Sequence, residues 1–194
     1  MSTLKLGVDI DSTINQLHIP MSEKPGVDMS DALYIKDKTD MTEEEILDFF
    51  MEHGPHIHST APLKDEFVVP ALTTLGRRYN MFFITNRNRE RLGFDILLNT
   101  RVYMEQHGLW GLFSAGYMVK GSKQVYLSEA NQAIDVMIED NPEQALAFLH
   151  SNIPVILFDY PYNRHINHPL CTRVTNWQQA MEAVIQLEQE LTYV

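Results

Sequence analysis

The chain holds a single cysteine, Cys171, in 194 residues. That excludes an intrachain disulfide and suits a reducing, cytoplasmic setting. Cations are scarce as well: 15 Lys and Arg stand against 26 Asp and Glu, a formal net charge of −11. Bulk electrostatic binding of a nucleic-acid polymer or an anionic membrane is thereby disfavoured, because both need clustered basic residues. A small phosphorylated ligand in a local positive pocket is not. No apolar run approaches the length needed to span a bilayer, and MSTLKLGVDI has neither the apolar core nor the cleavage site of a signal peptide. Internal repeats and low-complexity tracts are lacking too. The remaining composition, 44% apolar and 21% charged, is that of a globular chain able to bury one sizeable core.

What is present is an alternation of short apolar runs with helical patterns. Residues 4–8, 81–85, 113–119, 134–138 and 155–158 have strand length and composition. Between them, 94–107 puts Phe94, Leu98 and Val102 on one helical face, with Gly108 as a stop. Asn141-Pro142 reads as an N-cap with proline at the first helical position, opening a helix over 142–150. Thr175 and Gln178 form a capping-box pattern before a last helix with Trp177, Met181 and Val184 in a stripe. A further helix is expected over 66–79, with Pro70 confined to its first turns. Strand and helix in alternation predict an α/β fold whose parallel sheet is covered on both faces. Residues 14–60 interrupt the rhythm with one capped helix, opened by Thr42-Glu43-Glu44-Glu45 and expected to end at Gly54-Pro55. They read as a small unit packed over the edge of the sheet.

The first strand runs into the acids of D9-I-D-S-T13. In extended backbone, side chains two residues apart point the same way, so Asp9 and Asp11 face one crevice beyond the strand's carboxyl end. Two such carboxylates stay ionised only if a cation or hydrogen-bond donors offset them, and magnesium does so with one or two carboxylates plus phosphate oxygens. Taken alone, the stretch fits equally a turn in which Asp11, Ser12 and Thr13 cap the next element. Other strand ends add to it. M81-F-F-I-T-N86 ends in a hydroxyl and an amide, Lys123 opens the helix before the fourth strand, and I134-D-V-M-I-E-D140 ends in two more acids. Each has a plain alternative: a helix cap for Thr85, a solvated charge for Lys123, first-turn acids for Glu139 and Asp140. Their joint order is much harder to reach by accident.

In that order, D9-I-D-S-T13, Ile84-Thr85, Lys123 and I138-E-D140 resemble the four motifs of the haloacid dehalogenase superfamily of phosphatases. H58-S-T-A-P62, F82-F-I-T-N-R87, V136-M-I-E-D-N-P142 and D159-Y-P-Y-N-R164 are similar to its 5'-nucleotidase and deoxyribonucleotidase group and to bacterial nucleotidase-like proteins. The resemblance implies a three-layer, Rossmann-like core with a five-stranded parallel sheet, formed by residues 1–13 and 61–194, and a small helical cap over 14–60. It implies a Mg2+-dependent phosphomonoesterase for a small phosphorylated substrate, a nucleoside monophosphate above all. Asp9 would be the nucleophile and Asp11 the general acid and base. Metal would be held by the Asp9 carboxylate, the main-chain carbonyl of Asp11 and Asp140, with Glu139 beside it or one layer out. Thr85 and the Asn86 backbone would hold phosphate, and Lys123 would offset charge on Asp9 and the transferring group. Ser12 departs from the pattern, since many members carry glycine there.

The same motifs also suit a phosphatase of a sugar phosphate or other metabolite, a phosphoryl transferase, or a non-catalytic binder of a phosphorylated ligand; an oligomer is compatible with all of them. In the 14–60 insertion, Tyr34, Phe49, Phe50, His56 and His58 are candidates to contact base or sugar. Phe49 and Phe50 fit core packing better, and the two histidines fit a loop or turn better than a metal site. Asn163 and Arg164 follow the last strand, where an arginine could reach substrate or pair on the surface.

Overall fold

In the computed structural model, which describes residues 4–24, 26–87 and 95–192, the chain forms an α/β fold around one parallel sheet. The elements in order are β1 (Lys5–Val8), α1 (His18–Glu23), α2 (Glu43–Thr60), α3 (Val68–Arg78), β2 (Asn80–Thr85), α4 (Ile96–Gln106), β3 (Ala115–Met118), α5 (Lys123–Glu129), β4 (Val136–Glu139), α6 (Pro142–His150), β5 (Val155–Phe158), β6 (Cys171–Val174) and α7 (Trp177–Thr192). The expected residue Phe94 lies outside the described residues. No helix among them is long and apolar enough to cross a membrane.

The sheet has six strands, not five, in the order β3-β2-β1-β4-β5-β6, and every pairing is parallel. The overlooked strand, β6, is a four-residue edge strand whose C-T-R-V sequence is only partly buried. It therefore lacks the apolar run by which the inner strands announce themselves. Strand β1 is the branch point: the chain proceeds outward to β2 and β3 on one side, then to β4, β5 and β6 on the other. Ligands of open α/β sheets lie at such a switch point, beyond the strand carboxyl ends. Asp9 follows β1 there, its N–H donating to Ile138 O of β4 at 3.0 Å.

Side-chain alternation builds one apolar layer on each face. Leu6, Val8, Val136 and Ile138 meet α3 and α7 through Leu72, Leu75, Trp177 and Val184. Met137, Ile84 and Leu157 meet α5 and α6 through Leu127, Phe148 and Leu149. A third cluster, Met21, Met29, Ile35, Phe50 and Ile57, belongs to the segment between β1 and α3. Helix α2 does not end at Gly54-Pro55 but continues to Thr60 with Pro55 inside it. A proline there costs on the order of 3 kcal/mol through its lost hydrogen bond and its ring. Full burial of Ile57 and near-complete burial of His58 beyond it offset that cost. Thr42 caps α2 as expected, accepting from the Glu45 N–H while Glu45 accepts from the Thr42 N–H. Helix α7 is capped one residue later than predicted: Asn176 accepts from the Gln179 N–H, and the Gln179 side chain accepts from the Thr175 N–H.

Gly116 marks a close approach. A methyl group on it would fall inside the ring of Phe83, which is wedged against Trp110 and Phe113 with centroids 5.6 and 5.8 Å away. Gly116→Ala is expected to cost about 1–3 kcal/mol in urea unfolding through overpacking. Gly111→Ala, where nothing lies within 4 Å, should be near neutral. Equal effects of the two would refute this account of β3.

Candidate active site

Beyond the carboxyl ends of β1 and β4 the chain gathers four charges almost free of water. Asp9 is 4% exposed, Lys123 2%, Glu139 0% and Asp140 4%. The Lys123 ammonium donates to Asp9 Oδ1 at 2.6 Å and to Glu139 Oε2 at 2.7 Å. Its place is fixed by the loop before α5. Ser122 caps that helix through the Val125 N–H, and the Asn86 side-chain amide donates to Val119 O and Gly121 O at 3.2 and 2.8 Å. The Asn86 side chain thus ties down the lysine loop. Glu139 is also engaged by main chain, its Oε1 accepting from the N–H groups of Asp140 and Asn141.

Three buried carboxylates against one ammonium leave this cluster two negative charges in excess. Burial raises the Asp9 carboxyl well above its usual range; Lys123 opposes the rise, while Glu139 and Asp140 add to it. Asp140 is pushed up to about 7 by burial and by the charge of Glu139, against a lowering hydrogen bond from Tyr162. Burial alone would favour a neutral Lys123, but Asp9 and Glu139 outweigh it and raise its pKa. Asp9, Glu139 and Asp140 each present an oxygen within 4.8 Å of the others. All-oxygen donors with this excess charge fit a hard divalent cation such as magnesium. The cluster is therefore both geometrically and electrostatically suited to one.

Asp11 is a separate electrostatic unit. Its carboxylate accepts from Arg87 Nε at 2.9 Å and Nη2 at 2.6 Å, in a fork-to-fork pair. Arg87 Nη1 donates on to Thr100 Oγ1, and Asn15 Nδ2 donates to Asp11 Oδ1. His58 Nδ1, from α2, lies 3.8 Å from the same oxygen. Burial would raise the Asp11 carboxyl, but Arg87 and His58 together hold it well below the usual range. The Asp11 carboxylate is accordingly not among the three carboxylates whose oxygens cluster together. The pair D-x-D begins as one motif and ends in two environments.

The turn between these acids depends on Ser12, whose φ of +61° lies in the left-handed region. A residue with a Cβ is strained there, which explains why glycine suits this position. Ser12 N donates to Asn15 Oδ1 at 3.0 Å and Tyr160 OH donates to Ser12 O at 2.9 Å, holding the turn from both sides. Thr85 is the last residue of β2. Its hydroxyl is buried, lines the cavity over the cluster, and has no hydrogen-bond partner among the described residues.

That cavity is about 830 Å³. Asp9, Asp11, Lys123 and Asp140 lie on its floor, and Leu17, Met21, Ile35, Ile46, Leu47 and Phe50 supply apolar wall. Tyr34 and His58 line it too, whereas Phe49 packs edge-on against Phe50 and His53. His56 and His58 sit within α2 rather than in a loop, and His56 is exposed. Arg164 does not reach the cavity: it is exposed and pairs with Asp159. Asn163 serves the main chain, donating to Asp140 O and Phe158 O. Sequence reasoning missed Arg87 and Tyr162, whose hydroxyl donates to Asp140 Oδ2 at 2.5 Å. The available signal was position: each lies in a stretch already singled out for resemblance, Arg87 two residues past the end of β2 and Tyr162 four past the end of β5.

The fold is the one shared by haloacid dehalogenase-like hydrolases. A haloacid dehalogenase-like hydrolase of Streptococcus pneumoniae superposes with a TM-score of 0.67 at 11% identity, over 94% of this chain and 98% of that one. The Bacillus subtilis protein YfnB, a HAD hydrolase solved with magnesium bound, gives 0.59 at 10% identity, over 94% and 99%. In sequence the chain is similar to nucleotidases. Residues 112–190 match the family described as 5' nucleotidase, deoxy (pyrimidine), cytosolic type C protein. A nucleotidase of Clostridium acetobutylicum is 27% identical over 96% of both chains, and YqfW of Bacillus subtilis is 26% identical over 92% of both.

Breaking a buried ion pair costs about 3–5 kcal/mol, and less where water can reach the survivor. With the Asp11 side chain 23% exposed, Arg87→Met is expected to cost about 2 kcal/mol in unfolding with a chelator present. In a double-mutant cycle with Asp11→Asn the pair should show about 1–2 kcal/mol of coupling. Additive losses would mean that the pair contributes nothing.

Proposed function

We propose that the protein is a magnesium-dependent phosphomonoesterase whose substrates are nucleoside 5'-monophosphates, deoxy forms included. The observation that carries this reading is Asp9, fixed by Lys123 beside Asp140, at the floor of a cavity with an aliphatic wall. A base can be buried against such a wall, whereas a sugar phosphate needs partners for its hydroxyl groups. Relation to the nucleotidases supports the same reading. The segment 14–60 acts as the cap that supplies much of the wall, and 1–13 with 61–194 as the catalytic core.

Asp9 attacks phosphorus, forming an acyl phosphate as the bond to the sugar oxygen breaks. Asp11 gives that oxygen its proton, then takes one from the water that releases phosphate from Asp9. The Arg87 pair keeps Asp11 ionised at rest; as the phosphate dianion arrives and raises its proton affinity, Asp11 takes up one proton from solvent, and that is the proton it passes to the leaving oxygen. Thr85 and the Asn86 N–H hold phosphate oxygens, and Lys123 balances charge on Asp9 as it becomes esterified. Asp9 and Asp140, with the Asp11 carbonyl, would hold a magnesium ion, which when bound would supply charge stabilisation for the transferring group. A cytoplasmic setting belongs to the same proposal.

The test is phosphate release from a panel of nucleoside monophosphates and sugar phosphates, with magnesium and with chelator. Magnesium-dependent release from nucleotides in preference to sugars is expected. Asp9→Asn should lose about 10³-fold or more in kcat, and Asp11→Asn should slow turnover with substrate binding largely retained. Release undiminished in Asp9→Asn would remove it as nucleophile. A panel won by sugar phosphates would retain the mechanism and reject the substrate class.

A further inference from the structure

No residue of the stretch D159-Y-P-Y-N-R164 lines the cavity, yet it holds Asp140 at several points. Asn163, fully buried, donates from Nδ2 to Asp140 O at 2.7 Å and to Phe158 O at 2.8 Å. Its Oδ1 accepts from the Tyr160 N–H and from Arg173 Nη1. The main chain of the acid is therefore pinned by an amide that is itself pinned. The side chain is held separately. Tyr162 OH donates to Asp140 Oδ2 at 2.5 Å, leaving Oδ1 with only a long contact of 3.4 Å from Thr13 Oγ1.

The Tyr162 ring has little freedom to withdraw. It stacks on Tyr160 with centroids 5.0 Å apart and planes 8° from parallel. Tyr160 in turn accepts from Lys64 Nζ at 2.5 Å and donates to Ser12 O. One oxygen of Asp140 is thus occupied by a rigidly mounted donor. This matters for the choice of ion. Calcium takes six to eight oxygens and often binds carboxylates through both, while magnesium requires a near-ideal octahedron of single oxygens.

We infer that Tyr162 is a positioning residue that confines Asp140 to one-oxygen ligation and so makes the centre select magnesium over calcium. The inference rests on reading Asp9 and Asp140 as the metal centre. It assigns a purpose to the Y-P-Y-N loop that substrate binding does not supply. Losing the phenol frees Oδ2 for a larger ion and removes the support that aims Oδ1.

The experiment titrates full-length wild type and Tyr162→Phe with magnesium chloride and with calcium chloride, in calorimetry without substrate. Loss of an outer-layer partner typically weakens metal binding 10–100-fold. Tyr162→Phe is therefore expected to bind magnesium about tenfold more weakly with calcium affinity held or improved, shifting the Mg/Ca ratio by about tenfold or more. Tyr160→Phe, which removes a phenol of the same stack that touches no carboxylate of the centre, should keep the wild-type ratio. Equal weakening of both ions by Tyr162→Phe, or an equal shift in Tyr160→Phe, would overturn the inference while leaving the metal centre standing. Wild type that binds neither ion would overturn the centre and the inference with it. If Tyr162→Phe fails to fold, judged by circular dichroism, Tyr162→Met fills the space without a donor and carries the same comparison.

Discussion

The Lys123 ammonium, closed from water between Asp9 and Glu139, is the contact on which the rest of the site depends. It joins residues 114 apart in sequence and binds the ends of β1 and β4 to the start of α5. A charge so buried tolerates no loose geometry, and the surrounding structure supplies the tightness. Asn86 anchors the lysine loop, Ser122 caps its helix, and main-chain amides occupy the second Glu139 oxygen. Yet the lysine balances only one of three carboxylates. The remaining double negative charge is the physical demand that a divalent cation would meet, and it falls where the switch point of the sheet opens a crevice.

Next to this unit stands a second, Asp11 with Arg87, which is neutral as a pair. The two acids of D9-I-D11 consequently differ in proton affinity: burial raises one, while a guanidinium and an imidazole lower the other. Pairs of carboxylates pushed apart in this way are suited to different roles in one reaction. The left-handed Ser12 is the hinge of that divergence, and the final helix helps to hold it, Trp177 Nε1 donating to Thr13 O at 2.8 Å. Distant parts of the chain, Tyr160 and Trp177 among them, thus buttress one tight turn. The segment between β1 and α3 contributes as well: α2 brings His58 to Asp11, and Tyr34 reaches Asn141 and Glu143.

Much of this was legible in one dimension because it repeats with a short period. Short apolar runs disclosed the inner strands, β5 to the residue, since burial on both faces leaves a continuous apolar signature. Caps at Thr42 and Asn141 were equally plain, being local hydrogen bonds among neighbours. The edge strand β6 escaped because half of it meets water, and α2 outran its proline because burial of Ile57 is invisible to a local rule.

By itself, then, the sequence determined the order of strand-end groups: Asp9, Asp11, Thr85, Lys123 and Asp140 each follow from a strand or helix boundary that local periodicity sets. Only the tertiary structure decided which charges pair. Arg87 with Asp11, Lys123 with Glu139 and Tyr162 with Asp140 are contacts across the sheet's rim, between elements whose separation along the chain carries no information about distance. Electrostatic roles depend on a few ångströms in a water-poor environment, and those distances exist only once the sheet has closed its layers.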